Sequence, residues 1–224
     1  MKEVISVPVF PLPTVVLYPH VSIPLHIFEP RYLKMVEDAL AGDTMIAMAS
    51  FHPGWEKEYD GNPPIREIVC VGTISSYNRL EDGRYIIALK GKYRGKIASE
   101  DFSLPYRKAS VEIMEDFIHP AEMDLAIRKA EETMKLWSAA VAGGFSSELE
   151  ISSEPPRSVT DVVAISYKIA DGLKVAHNLK VQLLEMDSVL ERLETERAAL
   201  ENIVDILKLT PRRAEPLFYG FSSN

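Results

Sequence analysis

Residues 7–40, VPVFPLPTVVLYPHVSIPLHIFEPRYLKMVEDAL, decide how this chain is read. Prolines at 8, 11, 13, 19 and 24 forbid a continuous helix through the first half of the stretch, because each removes a backbone donor and fixes φ. Residues 4–10 and 14–18 therefore read as short strands separated by Pro11-Leu12-Pro13. In residues 22–28, Ile23, Leu25 and Ile27 alternate with Ser22, Pro24 and His26, the period of a half-buried strand. Glu29-Pro30 then opens a helix with proline in its first turn. Tyr32, Met35, Val36, Ala39 and Leu40 share one stripe of that helix, and Gly42 ends it. His26, Glu29 and Arg31 superficially resemble an acid–base set. A strand-to-helix corner that ties Glu29 and Arg31 into ion-pair or backbone contacts accounts for them.

Working outward, residues 45–51 return to strand and residues 52–64, rich in Gly, Pro and Asp, form a loop. Residues 68–78 and 85–97 read as a hairpin around Glu81-Asp82-Gly83, since Asp-Gly tolerates the positive φ angles of tight turns. Val111 and Ile113 mark a last strand ending near Phe117. Short strands at this spacing favour a barrel or sandwich over a doubly wound sheet.

The character changes at His119-Pro120. Residues 121–142 are helical and stop at Gly143-Gly144, residues 145–157 form a linker, and residues 161–173 form a second helix with Asp161 as its cap. In residues 179–207, Leu179, Leu183, Met186, Leu190, Leu193, Leu200, Val204 and Leu207 recur at spacings of three and four, with Arg197 in the off-type slot. Ser188-x-x-Glu191 is a capping-box pattern, so two helices are expected to meet at Asp187. The leucine seam is read as packing within the chain's own bundle, with an intermolecular coiled coil as the alternative. The expected fold class is α+β: a β subdomain over residues 1–117, a helical bundle over 118–209 and a loose tail over 210–224.

Composition narrows the function. An apolar share of 46% and a charged share of 26% over 224 residues describe an ordinary globular chain. A net charge of −8 opposes bulk attraction to nucleic acid or anionic lipid. The single cysteine, Cys70, excludes an intrachain disulfide and sits in Ile-Val-Cys-Val-Gly as a small core residue. No stretch approaches the roughly 18 apolar residues of a membrane span, and prolines interrupt the N-terminal apolar run. A cytoplasmic location is expected.

Enzyme motifs are missing. Gly91-Lys92-Tyr93-Arg94-Gly95-Lys96 has the wrong spacing for a phosphate loop, and no H-E-x-x-H or G-x-S-x-G occurs. The five histidines are scattered. Neither a cofactor nor a metal is expected. Two constellations remain as candidate partner-binding residues. Lys90, Lys92, Arg94 and Lys96 occupy alternate positions of one strand, opposite Tyr85, Ile87, Leu89, Tyr93 and Ile97. Period two would align four cations as a contact strip for an acidic partner or a phosphate backbone, or as a solvated strand face. Gly91 and Gly95 could bulge the strand and scatter the row. Phe51, Trp55, Tyr59 and Tyr77 lie in or near the long loop, where they either cap the barrel or line a groove for apolar peptide segments.

The opening stretch resembles the start of the Lon protease N-terminal domain. The likeness continues through Val71-Gly72-Thr73-Ile74, residues 80–85, 91–94, Pro105-Tyr106 and Val111-Glu112, then Asp161-Val162-Val163-Ala164, residues 182–185 and Glu191-Arg192-Leu193. It covers roughly residues 4–207. Within the matched region, Gly95 follows Arg94 where that family often has an aromatic residue, which puts the local strand geometry in question. The resemblance implies a pseudo-barrel related to the PUA fold followed by a helical bundle. The chain is expected to depart decisively from full-length Lon in having neither the ATPase module nor the protease domain with its Ser–Lys dyad. Cereblon-type proteins, which use a Lon-like domain for interaction alone, are similar in that respect. The expected function is non-catalytic binding of unfolded or apolar protein segments, or of a partner such as a Lon-type protease, with self-association as an option. RNA binding through a PUA-like barrel is the alternative, disfavoured by the acidic charge.

Overall fold

The computed structural model describes residues 3–58, 61–145, 151 and 154–209. Six strands form one mixed sheet in the order β2-β5-β4-β3-β1-β6. They are β1 (Val4–Leu12), β2 (Ser22–Ile27), β3 (Met45–Ser50), β4 (Ile68–Arg79), β5 (Tyr85–Asp101) and β6 (Lys108–Met114). β5 is long enough to pair with β2 along its first half and with β6 along its second, which closes β5, β4, β3, β1 and β6 into a ring. The inside of that ring is filled by small alternate residues: Val7 and Val9, Ala47 and Ala49, Val69 and Val71, Ala109 and Val111. The α+β class and the PUA-like pseudo-barrel expected from the sequence are what the chain adopts.

The Pro30 corner folds as read. β2 buries Leu25 and Ile27, Glu29 takes the N-cap position of α1 (Pro30–Ala41), and Tyr32, Met35, Val36 and Ala39 are its buried stripe. Arg31 and Glu29 meet at 2.9 Å, so their charges close the corner. The connection through β2 and α1 lets β1 and β3 pair in parallel. Residues 14–18 are not a strand, contrary to the reading of a short strand after Pro11-Leu12-Pro13. They form a buried coil in which Val16, Leu17 and Tyr18 face the main core and the Tyr18 hydroxyl donates to the Lys180 carbonyl at 2.8 Å. Prolines on both sides leave that segment without the partner ladder a strand needs. In the β4–β5 hairpin only Gly83 takes a positive φ, +86°, while the Asp82 carboxylate accepts from the Arg84 amide.

A short 3₁₀ turn, Pro120–Glu122, leads to α2 (Met123–Ala142), followed by α3 (Val159–Gly172), α4 (His177–Glu185) and α5 (Val189–Leu209). Asp161 is not the cap of α3. Ser158 is, and Asp161 completes a capping box by accepting from the Ser158 amide. The seam does break near Asp187, and the Ser188 hydroxyl accepts from the Glu191 amide at 3.2 Å. The buried stripe of α5 is Val189, Arg192, Leu193, Glu196 and Leu200, rotated from the leucine seam by the inclusion of two charges. One apolar cluster runs from Phe10, Leu17 and Leu89 on the β side to Trp137, Ile169 and Leu200 on the helices. The β and helical parts therefore share a core. The expected tail and most of the expected linker, residues 146–150, 152 and 153, lie outside the described residues.

Candidate functional site

β5 carries the first constellation and changes phase in the middle of it. Tyr93 pairs with Val71 but Gly91 pairs with Gly72, so Lys92 is an extra residue. The bulge sits where Gly91 passes the Tyr18 carbonyl so closely that a Cβ there would come within 2.0 Å of its oxygen. Before the bulge the odd positions Tyr85, Ile87 and Leu89 are buried in the core shared with the helices; after it the even position Arg94 is the one turned to them. Lys90, Lys92 and Lys96 remain exposed, with Lys92 over the Tyr93 ring and Lys96 paired with Glu67 at 3.2 Å. Arg94 is turned inward and is 1% exposed. The four cations do not form one row.

Arg94 instead closes the C-terminal end of α4. Its Nη1 donates to the carbonyls of Leu184, Glu185 and Met186 at 3.2, 3.2 and 2.8 Å, and its Nη2 to Asp187 at 2.9 Å. The last carbonyls of a helix have no partner within it and carry partial negative charge, so a guanidinium there is stabilising. Arg192 performs a related task one turn into α5. It donates to Asp116 at 3.1 Å, to the Ser166 hydroxyl at 2.8 Å and to Tyr167 at 3.1 Å, and stacks 3.9 Å above the Tyr167 ring. Tyr167 in turn donates to Asp116 at 2.8 Å. Burial pushes the Tyr167 hydroxyl well above the usual phenol range, so it stays a donor. Glu196 accepts from Ser166 at 2.8 Å, and complete burial raises its carboxyl to about 8. This network joins the end of the sheet to α3 and α5. Ser166 and Glu196 are fully buried in it, closed off from any substrate, and burial holds the Cys70 thiol protonated by raising its pKa.

The aromatic constellation is also divided. Phe51 is buried and stacks on Trp55 with ring centres 4.8 Å apart, closing the cluster inside the barrel. The hollow that Phe51 borders has room for about 30 Å³, a single water. Tyr77 lies on the other half of β4, 59% exposed, beside Tyr85. Tyr59 lies outside the described residues.

One wide concavity among the described residues was not singled out by the sequence reading. Where β6 ends and the α4–α5 turn passes, Phe117 bridges to Ser188, and the surface falls away into a groove of about 1030 Å³. Phe117 stands 68% exposed there, with half-buried Ile113 and Met114 beside it. Glu3, Glu115, Glu122 and Asp187 rim the groove, and Arg94 lies in its wall. A second, shallower groove of about 780 Å³ follows α4 and α5, lined by Leu179, Met186, Ile203 and Ile206 among others. No group of His, Cys, Asp and Glu among the described residues could hold a metal ion, and no described helix is long and apolar enough to cross a membrane.

Comparison with known proteins gives this architecture a family. A crystal structure of a Lon N-terminal domain protein from Xanthomonas campestris superposes with a TM-score of 0.57 at 22% identity, covering 87% of this chain and 98% of that one. The N-terminal domain of the Mycobacterium avium complex Lon protease gives 0.63 at 16% identity over 88% and 98%. Lon protease of Escherichia coli K12 is 28% identical over 221 residues, which is 94% of this chain and 26% of that protein. Trichlorobacter lovleyi Lon protease is 28% identical over 193 residues, 83% of this chain and 22% of its own length. The chain thus spans about a quarter of these curated relatives. The model of the ATP-dependent protease La (LON) substrate-binding domain matches residues 6–202. The chain belongs to the Lon substrate-binding domain family.

Proposed function

We propose that this chain is a non-catalytic binding module for exposed apolar segments of unfolded polypeptides or of a partner protein, a Lon-type protease among them. The observation that carries the reading is the uncovered apolar floor of the groove at the end of β6, where Phe117 stands 68% exposed between Ile113, Met114 and the α4–α5 turn. Family membership supports it, since the matched domain is described as substrate-binding. A cytoplasmic site of action fits the lone buried cysteine.

Magnitudes set the affinity. Three apolar anchors at about 1.5–3 kcal/mol each work against roughly 4–15 kcal/mol of association cost. Single-site binding is weak on this basis, and useful retention of a client needs several contacts at once, through self-association or a partner machine. The RNA alternative loses ground because Arg94 is committed to the α4 carbonyls and leaves the basic strip without its third cation.

Titration of a fluorescent, reduced and carboxymethylated client with the full chain tests the proposal. Saturable binding in the micromolar range, absent for the same client when folded, is expected. A flat titration up to high-micromolar protein removes the proposal. So does a peptidase activity that stays with the pure protein and disappears in a single point variant.

A further inference from the structure

We infer that the groove at the end of β6 takes extended segments in which a lysine or arginine neighbours an apolar side chain, an assignment that rests on the binding role proposed above. The floor supplies the apolar half: the exposed Phe117 ring, with Ile113 and Met114 alongside. The ring is braced by His119, whose ring meets it edge-on at 6.4 Å, and whose Nδ1 accepts from the Ala121 amide at 3.2 Å. An aromatic ring held at a water-accessible wall accommodates both an aliphatic chain and the cation at its end.

The rim supplies the charge. Glu3, Glu115, Glu122 and Asp187 stand against one cation in the lining, Arg94. Arg94 Nη2 and Asp187 pair at 2.9 Å, and Nη1 of Arg94 is turned to the carbonyls at the end of α4. Glu3, Glu115 and Glu122 are left to face the groove; Lys92, at the β5 bulge, is near enough to Glu3 to feel its charge but does not line the groove. His119 does line it, with Nδ1 occupied as an acceptor. The excess of carboxylates around an aromatic floor is complementary to a cationic, apolar segment and repels an acidic one. Exposed carboxylates act through solvent, so the preference is screened by salt.

The test uses the full chain and three fluorescein-labelled peptides of equal length: one alternating Lys with Leu, one with Glu in place of Lys, and one with Ser in place of Leu. Anisotropy should show the Lys/Leu peptide binding roughly tenfold more tightly than either counterpart. Its affinity should weaken with added salt. Phe117→Ala, and separately the pair Glu115→Gln with Glu122→Gln, should each weaken it several-fold with melting curves unchanged, because all three side chains are exposed. Equal affinity for the Lys/Leu and Glu/Leu peptides overturns the inference. So does an unfolded client whose binding both sets of substitutions leave unchanged, and that result leaves the binding role itself standing. Failure of every peptide and every unfolded client to bind removes the binding role and this inference together.

Discussion

Two regions rich in charge lie side by side in this molecule and use it in opposite ways. In the junction between sheet and helices, Arg192, Asp116, Tyr167, Ser166 and Glu196 are buried or nearly so and directed at one another. In the groove immediately outside, Glu3, Glu115 and Glu122 are exposed and directed at solvent. Arg94 and Asp187 stand on the border: the arginine is 1% exposed and the carboxylate 79%. Neighbouring residues of one segment fall on either side, since Asp116 turns inward to Arg192 while Glu115 and Phe117 turn out. The lesson is that charge near an interface of secondary structures is first consumed in satisfying backbone and burial. Only what is left over is available for recognition.

Substitutions should separate the two regions by size of effect. Arg192→Ala leaves the nearly buried Asp116 without its cation and the Ser166 and Tyr167 hydroxyls without its donors, and a loss of about 3–5 kcal/mol in urea unfolding is expected. Arg94→Ala strands the last carbonyls of α4 but frees Asp187 into water, so its loss should be smaller, about 1.5–3 kcal/mol. Were the two losses equal, the distinction between a closed network and a border residue would be wrong.

Glu196 sharpens the comparison through pH. Its carboxyl is raised from 4.5 to about 8 by burial, so between those values the unfolded chain has released a proton that the native chain keeps. Its contribution to stability is fully present below the lower value and is lost as pH rises towards the upper one, with a slope of at most ~1.4 kcal/mol per pH unit. Glu196→Gln should abolish that slope and make the protein relatively more stable at alkaline pH, measured by thermal melts across the range. At the small end, Phe117→Ala and Lys90→Ala should change stability by no more than about 0.5 kcal/mol, because both side chains are exposed. A large loss from Phe117→Ala would make that ring part of the core and not part of a binding surface.

Much of the fold was legible because it rests on local rules. The alternation in β2, the stripe of α1 and the glycine of the β4–β5 turn each place residues by periodicity or φ alone. The departures occur where a distant partner decides. Residues 14–18 have strand composition but no neighbouring strand to pair with. The β5 row failed at Lys92 because the Tyr18 backbone crosses Gly91, a contact between segments far apart in sequence. In α5 the leucine seam put Arg197 at the off-type slot, yet the buried charges are Arg192 and Glu196. Val189, Leu193, Glu196 and Leu200 share a stripe at spacings of four, three and four, a signal that was present but hidden by weighing leucines alone. Phe117 carried no such signal. Its exposure follows from how β6 ends against the α4–α5 turn, which no periodicity records.

The most direct measurement places a bound client on the surface. An unfolded polypeptide carrying a photoactivatable crosslinker should, after irradiation with the full chain and peptide mapping, attach mainly to residues 113–122 and 187–188. Attachment confined to the lysine face of β5, or the absence of any crosslink that native competitor fails to displace but unfolded competitor does, would contradict the claim that this family member works by gripping apolar chain at the end of β6.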